Sequence, residues 1–411
     1  MISGTADCGL KYAVRKGGSA VGYCALSVKC GTRNEMGYHS GIAHFVEHTI
    51  FKGTSRRSAA VINSYLDRLG GELNAFTTKE EIVLHATVLK EDLPKASALL
   101  FELATCATFP ANEINTEKGV VIDEIHSYKD TPSEDIYDKF EEMLFKGHPL
   151  SSPILGTVAS VKKITSEELL KFVKENFTPE RMAFTVVADL DEKKMEKDVL
   201  KLAQRFFEGI SAAEVTESEK ESLPVATEQF DKTVSKRNYQ ANCVIGGPAP
   251  SLYQERERLA TVLLCNILGG PASNSILNNV LREKNGWVYS VECSYTQYAD
   301  TGMVALTLGC DKANLDKCLK AIDKEIAKLQ DETLTERKMK AAKKQLLGQL
   351  AISSDNGETQ CLSMGKGLIA YGKITGGKET RELIDAITAE DVREMACRIF
   401  APENLSRLTY I

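Results

Sequence analysis

A chain of 411 residues is longer than one hydrophobic core usually supports, so two domains of about 200 residues are expected. Its composition is 43% hydrophobic and 26% charged, and a net charge of -6 without a concentrated basic face argues against a nucleic-acid partner. No apolar run approaches the roughly 20 residues of a membrane span, and no signal peptide is visible at the N-terminus. The eleven cysteines are scattered without a C-x-x-C pair, which favours a reducing, cytoplasmic location over a disulfide framework.

The first half of the chain alternates between strand and helix patterns, with period-2 and period-3.6 spacing of apolar residues. Strands are predicted at 11–14 and 22–30, a β-hairpin at 73–77 and 82–89, and a further strand at 182–188. Helices are predicted at 41–51, 59–69, 93–104, 117–128, 133–145 and 166–176, the last with Ser166 as its N-cap.

A polar stretch rich in Ser, Thr and Glu then interrupts the pattern. Residues 209–228 hold little that could build a core, and they are predicted to link an N-terminal domain, 1–208, to a C-terminal domain, 229–411. Beyond them, paired strands at 288–298 and 303–310 precede a helix at 315–329, the same order as in residues 73–104. The prediction is an α+β chain of two similar domains, each an antiparallel-rich sheet packed with helices.

The residues that suggest chemistry are His44-Phe45-Val46-Glu47-His48. Residues four apart lie on one face of a helix, so the two imidazoles can bind one metal ion. Among only six histidines, this spacing around a glutamate arises by chance in roughly one such sequence in a hundred. The motif therefore predicts a catalytic Zn²⁺ site in which Glu47 takes a proton from the attacking water. The alternative is that each histidine is an ordinary core or surface residue.

A catalytic zinc site usually has three protein ligands, and the predicted helix at 117–128 offers the third. Glu117 and Glu124 are seven residues apart and share a face with Val120 and Val121, where carboxylates are costly to bury without a cation. Glu124 is predicted to bind the metal and Glu117 to orient a ligand. His126 is a rival ligand, although it points elsewhere on the helix, and Asp123 is similarly off the shared face. Both glutamates could simply be solvated.

A longer segment around the motif matches a known family. Residues 30–54, CGTRNEMGYHSGIAHFVEHTIFKGT, resemble the zinc helix of the pitrilysin/insulysin metallopeptidases, particularly the branch of the mitochondrial processing peptidase and its bacterial relatives. Glutamates 117 and 124 match that family's downstream pair, whose second member binds zinc. The segments HPLSSPILGT at 148–157 and VVADLD at 186–191 also resemble family segments, so the similarity spans nearly the whole chain.

The second half adds a family motif of its own. LREKNGWVYSV, at 281–291, resembles a segment whose Arg and Tyr line the active site from the other domain, here Arg282 and Tyr289. The resemblance implies that both hold the substrate backbone and that Tyr289 stabilises the developing oxyanion. Without it they would be an ordinary charged residue and an ordinary strand residue. GGPASNSIL, at 269–277, departs from the family's GGGMSSRL, which leaves the substrate contacts near Pro271 open.

The resemblance also implies an architecture and an activity. Each chain would form half of a clam-shell, and a homodimer would enclose a chamber for unfolded peptides. An extended peptide would add beside the strand at 73–76, with Asn74 as a contact, although Asn74 could equally be a hairpin residue. The predicted function is a zinc-dependent endopeptidase without nucleic-acid or membrane partners. The alternatives are a non-catalytic scaffold subunit or one half of a heterodimeric peptidase.

Overall fold

The computed structural model describes residues 1–209, 227–236 and 238–411, so the predicted linker at 209–228 lies almost entirely outside the described residues. The chain divides into two compact units. The described residues of the first unit are 1–126, 152–209 and 352–375, and those of the second are 127–151, 227–236, 238–351 and 376–411. Each unit therefore contains segments from both halves of the chain.

The strands form one sheet in each unit. They are β1 (Ile2–Thr5), β2 (Lys11–Lys16), β3 (Val21–Val28), β4 (Glu72–Thr77), β5 (Ile82–Leu89), β6 (Met182–Ala188), β7 (Asp231–Val234), β8 (Gln240–Ala249), β9 (Val288–Gln297), β10 (Gly302–Asp311) and β11 (Ser406–Tyr410).

Helices pack on both sheets, as the apolar spacing predicts. They are α1 (Ile42–Thr49), α2 (Ala59–Asp67), α3 (Leu93–Cys106), α4 (Ala111–Lys129), α5 (Pro132–Leu144), α6 (Val158–Val161), α7 (Ser166–Asn176), α8 (Glu192–Phe207), α9 (Glu255–Gly269), α10 (Leu315–Asp331), α11 (Glu336–Ser353), α12 (Gly357–Tyr371), α13 (Gly377–Ala386) and α14 (Ala389–Ile399). A π-helical turn covers Asn278–Glu283.

The sheet of the first unit has the strand order β1-β2-β6-β3-β5-β4. Strand β6 runs parallel to β2 and antiparallel to β3, with Val186 opposite Val14 and Phe184 opposite Leu26. All seven residues of β6 are buried and six of them are apolar, so the strand does not alternate between apolar and polar residues. Strand β4 pairs with β5 and forms the edge of the sheet.

The main core of the first unit lies on one face of this sheet and includes α1, α3, α7 and α8. Phe101 of α3 anchors it, with its ring centroid 4.7 Å from that of Phe184. The other face is lined by small residues such as Ala13, Ala25 and Ala183, and α12 packs on them. At Gly365 of α12, a β-carbon would lie 2.4 Å from the Ser27 hydroxyl, so a larger residue there would displace the Ser27 side chain.

The five strands described in the second unit repeat the order and directions of β2, β6, β3, β5 and β4 in the first. Its strand order is β7-β11-β8-β10-β9, with β11 parallel to β7 and the remaining pairs antiparallel. One face of the sheet carries the core made with α9, α10 and α14. Helix α5, from the first half of the chain, covers the other face, where Phe140, Phe145 and Met303 are buried. The prediction of two similar α+β domains is confirmed.

Local details differ from the sequence predictions at several points, the largest being helix α4, which begins at Ala111 instead of residue 117. The N-cap of α7 is Thr165, whose side chain accepts a hydrogen bond from the Glu168 amide, so the assignment of Ser166 was wrong by one residue. Val120 is 48% exposed, so of the two valines predicted for the buried face of α4 only Val121 lies on it. Strand β3 ends at Val28 instead of residue 30. Within the described part of the chain, no helix is long and apolar enough to cross a membrane.

Candidate metal centre

The metal motif lies on α1, an eight-residue helix whose start is fixed by tertiary contacts. Gly41 precedes the helix with a positive φ of 89°, and a β-carbon there would lie 2.8 Å from the backbone of Gly156. The buried carboxyl group of Glu35 accepts hydrogen bonds from the amides of Gly41 (2.9 Å) and Ala43 (3.0 Å). Because a helix this short is marginal alone, these contacts hold the motif in helical form.

The two histidines of α1 lie side by side, as their spacing predicts. The ring centroids of His44 and His48 are 4.6 Å apart and their planes are inclined by 60°. His44 is buried, whereas His48 is half-buried. The Nε2 atoms of both rings lie on the side of α1 that Glu124 approaches.

Helix α4 supplies the third potential ligand, Glu124, which lies 76 residues after His48 in the chain. Its apolar face, with Val121 and Ile125, is buried in the core of the first unit, and this packing sets the rotation of the helix. Glu124 Oε2 lies 3.3 Å from His48 Nε2 and 3.8 Å from His44 Nε2. One ligand atom from each of the three residues falls within 4.8 Å of the others, so a single ion can reach all three.

Glu117 contacts this cluster through His48. Its Oε1 atom is 3.0 Å from His48 Nδ1, and its Oε2 atom is 2.7 Å from Lys52 Nζ. When the N–H group at His48 Nδ1 donates a hydrogen bond to Glu117, the lone pair of the neutral ring is on Nε2, toward Glu124. Sequence reasoning selected Glu117 but missed Lys52, whose signal was its place four residues after His48.

The protonation states of the cluster follow from burial and charge. Burial, together with the neighbouring His48, lowers the pKa of His44 to about 4, although the carboxylate of Glu124 opposes the shift. Burial also acts to lower the pKa of His48, but its hydrogen bonds with Glu124 and Glu117 outweigh burial and raise it. The hydrogen bond with His48 lowers the pKa of Glu124. At neutral pH the cluster thus contains a neutral His44 and an ionised Glu124, the forms that bind metals.

Glu47 borders the cluster from the same helix. It is half-buried, and burial raises the pKa of its carboxyl group against the opposing effects of the Thr77 hydroxyl and His48. A carboxylate with a raised pKa is a better proton acceptor, as a general base requires. Thr77, at the end of β4, was not selected from the sequence, because its proximity to α1 arises only in the folded chain.

The residues present fit a Zn²⁺ ion. Two imidazoles and one carboxylate form a usual donor set for catalytic zinc, in which the fourth position stays open. His44 directs its Nε2 atom toward Glu124. Its Nδ1 atom is buried without a hydrogen-bond partner among the described residues. His126 and Asp123 are exposed and stand outside the cluster, as their positions on the helix predict. Among the described residues of the second unit there is no comparable group of ligands.

Three further predicted site residues, Asn74, Arg282 and Tyr289, are not among the ligands of the metal cluster. Asn74 lies on the edge strand β4, opposite His85 of β5, and its side chain is exposed. Arg282 is exposed in the π-helical turn of the second unit and forms no ion pair with the described residues. Tyr289 is 56% exposed near the start of β9, and its hydroxyl donates a 2.7 Å hydrogen bond to Asp311 Oδ1. Their contact with substrate stays a prediction.

Comparison with known proteins matches both halves of the chain. The family model for insulinase (Peptidase family M16) matches residues 13–158, and the model for the peptidase M16 inactive domain matches residues 163–346. An uncharacterized zinc protease of Bacillus subtilis is 30% identical over 374 residues, which cover 91% of this chain and 89% of that protein. An uncharacterized zinc protease of Rickettsia felis is 30% identical over 377 residues, 92% of this chain and 89% of that protein.

Solved structures share the whole fold. A protease from Helicobacter pylori aligns over 100% of this chain and 99% of its own, with a TM-score of 0.89 and 20% identity. A peptidase M16 inactive domain from Pseudomonas fluorescens aligns over 100% of this chain and 97% of its own, with a TM-score of 0.89 and 17% identity. With the relatives at 30% identity over nine-tenths of its length, this chain belongs to the pitrilysin/insulysin family, peptidase family M16.

Proposed function

We propose that this protein is a zinc-dependent endopeptidase that hydrolyses unfolded peptides. The observation that carries the proposal is the convergence of His44, His48 and Glu124, whose ligand atoms lie within 4.8 Å of one another. The relatives named zinc proteases support the same reading. When bound, Zn²⁺ supplies Lewis-acid chemistry, since it polarises a carbonyl group and lowers the pKa of water.

The surrounding residues have distinct proposed roles. Glu47 accepts a proton from the attacking water and returns it to the leaving amine, for which its raised pKa is suited. Glu117 keeps His48 in the tautomer with its lone pair on Nε2. Arg282 and Tyr289 bind the substrate backbone, and Tyr289 donates a hydrogen bond to the developing oxyanion; both roles rest on the family resemblance.

The edge strand β4 is the proposed docking place for the peptide. Its outer edge offers backbone amides and carbonyls that can pair with an extended segment. Asn74 is exposed on this strand, and Thr77 at its end neighbours Glu47, so a peptide laid along β4 leads toward the metal centre. Only an unfolded segment can be extended in this way, because a folded substrate has its backbone groups already paired.

The family resemblance extends the proposal to assembly and location. We infer a cytoplasmic homodimer that encloses its substrate. Size measurement of the pure protein by light scattering tests the dimer against a monomer and against a chain that needs a different partner.

The activity is tested with a library of quenched, unstructured peptides, purified zinc-loaded protein, and a metal chelator. Cleavage should be lost with the chelator and with Glu47→Gln, which keeps the shape of the side chain but cannot act as a base. Two neighbouring carboxylates of α4 give a matched pair: Glu124→Gln should lose bound zinc, whereas Asp123→Asn should retain it, since Asp123 is exposed outside the cluster.

Three results would change the conclusion. A zinc-loaded protein that cleaves no peptide would favour the non-catalytic scaffold or a missing partner chain. Equal zinc retention in the Glu124 and Asp123 variants would remove Glu124 from the ligand set. Cleavage that survives Glu47→Gln unchanged would require a different base.

A further inference from the structure

Lys52 connects the metal centre to a cavity on its outer side. It ends the 3₁₀ turn Ile50–Lys52 that follows α1, and its side chain is one-quarter exposed. Lys52 Nζ lies 2.7 Å from Glu117 Oε2, and Glu117 Oε1 lies 3.0 Å from His48 Nδ1. Lysine, glutamate and histidine thus form a continuous chain of contacts that ends on a predicted metal ligand.

We propose that Lys52 is a positioning residue for the metal centre. Its ammonium group holds the Glu117 carboxylate in the orientation that fixes the His48 ring, and it thereby raises the affinity for zinc. This inference rests on the proposed function, because it assumes that His48 binds the metal.

The physical reason lies in the burial of Glu117. Its side chain is only 8% exposed, and a carboxylate removed from water is costly unless a positive charge compensates it. In the neutral form that binds a metal ion, His48 supplies a hydrogen bond but no charge. Glu47 and Glu124 add further negative charge near His48, with which both interact electrostatically. Lys52 is the cation that contacts Glu117, so its removal favours turning the carboxylate toward water and away from His48.

Lys52 also lines a cavity that contains other charged side chains. The cavity has a volume of about 490 Å³, and Arg56, Arg57 and Glu113 also line it. Arg57 is paired with the buried carboxylate of Glu102, as Lys52 is paired with Glu117. The cations here are largely matched by acidic groups, which argues against a strongly anion-attracting surface and for a structural use of Lys52.

Arg56 provides a matched control in the same cavity. Its guanidinium lies 5.2 Å from the ring centroid of Phe206 and has no carboxylate partner among the described residues. Arg56→Met therefore removes one positive charge from the cavity without touching Glu117. Lys52→Met removes the charge that contacts Glu117, and Lys52→Arg keeps a charge at that place.

The test measures zinc affinity of the full chain by competition with a chromogenic chelator. Lys52→Met should bind zinc about tenfold more weakly, at the lower end of the roughly 10–100-fold cost of losing the outer partner of a metal ligand, because Lys52 acts on His48 only through Glu117. Lys52→Arg should recover most of the affinity, and Arg56→Met should equal the parent. The visible spectrum of Co²⁺-loaded protein should change in Lys52→Met and stay unchanged in Arg56→Met, while the metal-free proteins unfold at similar temperatures.

Two results would overturn the inference on Lys52 and leave the proposed function standing. One is a parent-like zinc affinity in Lys52→Met. The other is an equal loss in Arg56→Met, which would indicate a general effect of charge. If the parent itself binds no zinc, or if His44→Ala binds it as tightly, the proposed metal centre is wrong and the role of Lys52 is wrong with it.

Discussion

Glu35 offers a sharp test of how the metal helix is held. The two oxygens of its carboxyl group accept hydrogen bonds from the amides of Gly41 and Ala43, at 2.9 and 3.0 Å, where α1 begins. Glu35→Ala removes both acceptors and leaves two amides at a buried helix start without partners. Water cannot replace the lost acceptors easily, because Gly41 and Ala43 are themselves buried.

The expected cost follows from these two amides. An unsatisfied buried donor costs about 1–3 kcal/mol, so we expect a loss of about 3 kcal/mol in the free energy of unfolding. For a unit of this size, that corresponds to a fall of roughly 6–12 °C in the unfolding temperature. Since α1 carries both histidines, zinc affinity should also fall.

Differential scanning calorimetry of the metal-free protein measures the first effect, and chelator competition measures the second. Glu167→Ala is the matched control, because this exposed glutamate lies in the first turn of α7 and contacts no buried amide of α1. If Glu35→Ala unfolds within about 1 °C of the parent, the hydrogen bonds from Glu35 do not stabilise α1, and the argument from buried amides fails.

Four further outcomes are expected. Burial raises the pKa of Glu35 from 4.5 to about 8, so between these pH values the folded chain keeps a proton that the unfolded chain releases. The free energy of unfolding should therefore decrease as pH rises from 4.5 to about 8, and thermal melts of Glu35→Gln should lack that decrease. Phe101→Ala should cost about 3–5 kcal/mol in urea unfolding, since the ring is fully buried, and should leave the peptide-cleavage specificity unchanged. Tyr289→Phe removes an exposed hydrogen bond to Asp311 and should change the unfolding free energy by less than about 1 kcal/mol, yet lower kcat for peptides by about 100-fold. Chelation of zinc should lower the unfolding temperature, and added zinc should restore it, because the ion binds the folded state.

The parts of the fold that the sequence predicts well depend on near neighbours in the chain. The hairpin of β4 and β5, helix α7 and strand β6 agree with their predicted bounds within a residue or two. Each is marked by local periodicity and by turn residues at its ends. The pairing of His44 with His48 belongs to the same class, because a spacing of four residues on a helix is a local property.

Other features arise only from packing between distant segments. Strand β6 inserts between β2 and β3, and α12 covers the sheet of the first unit although it belongs to the second half of the chain. A linear pattern shows that a strand or helix has an apolar face, but several partners can bury that face equally well. Sequence periodicity therefore indicates the elements and leaves their partners open.

The metal centre divides in the same way. The H-x-x-E-H motif and the glutamate pair on α4 can be read directly from the residues, and the family resemblance joins them. Lys52 and Thr77 enter the site because α1, α4 and β4 pack together, which places groups from separate segments within a few ångströms. Side-chain type and local spacing can be read from the sequence. The orientation of His48 by Glu117 and Lys52 depends on the burial of these groups, which occurs only when the core is assembled.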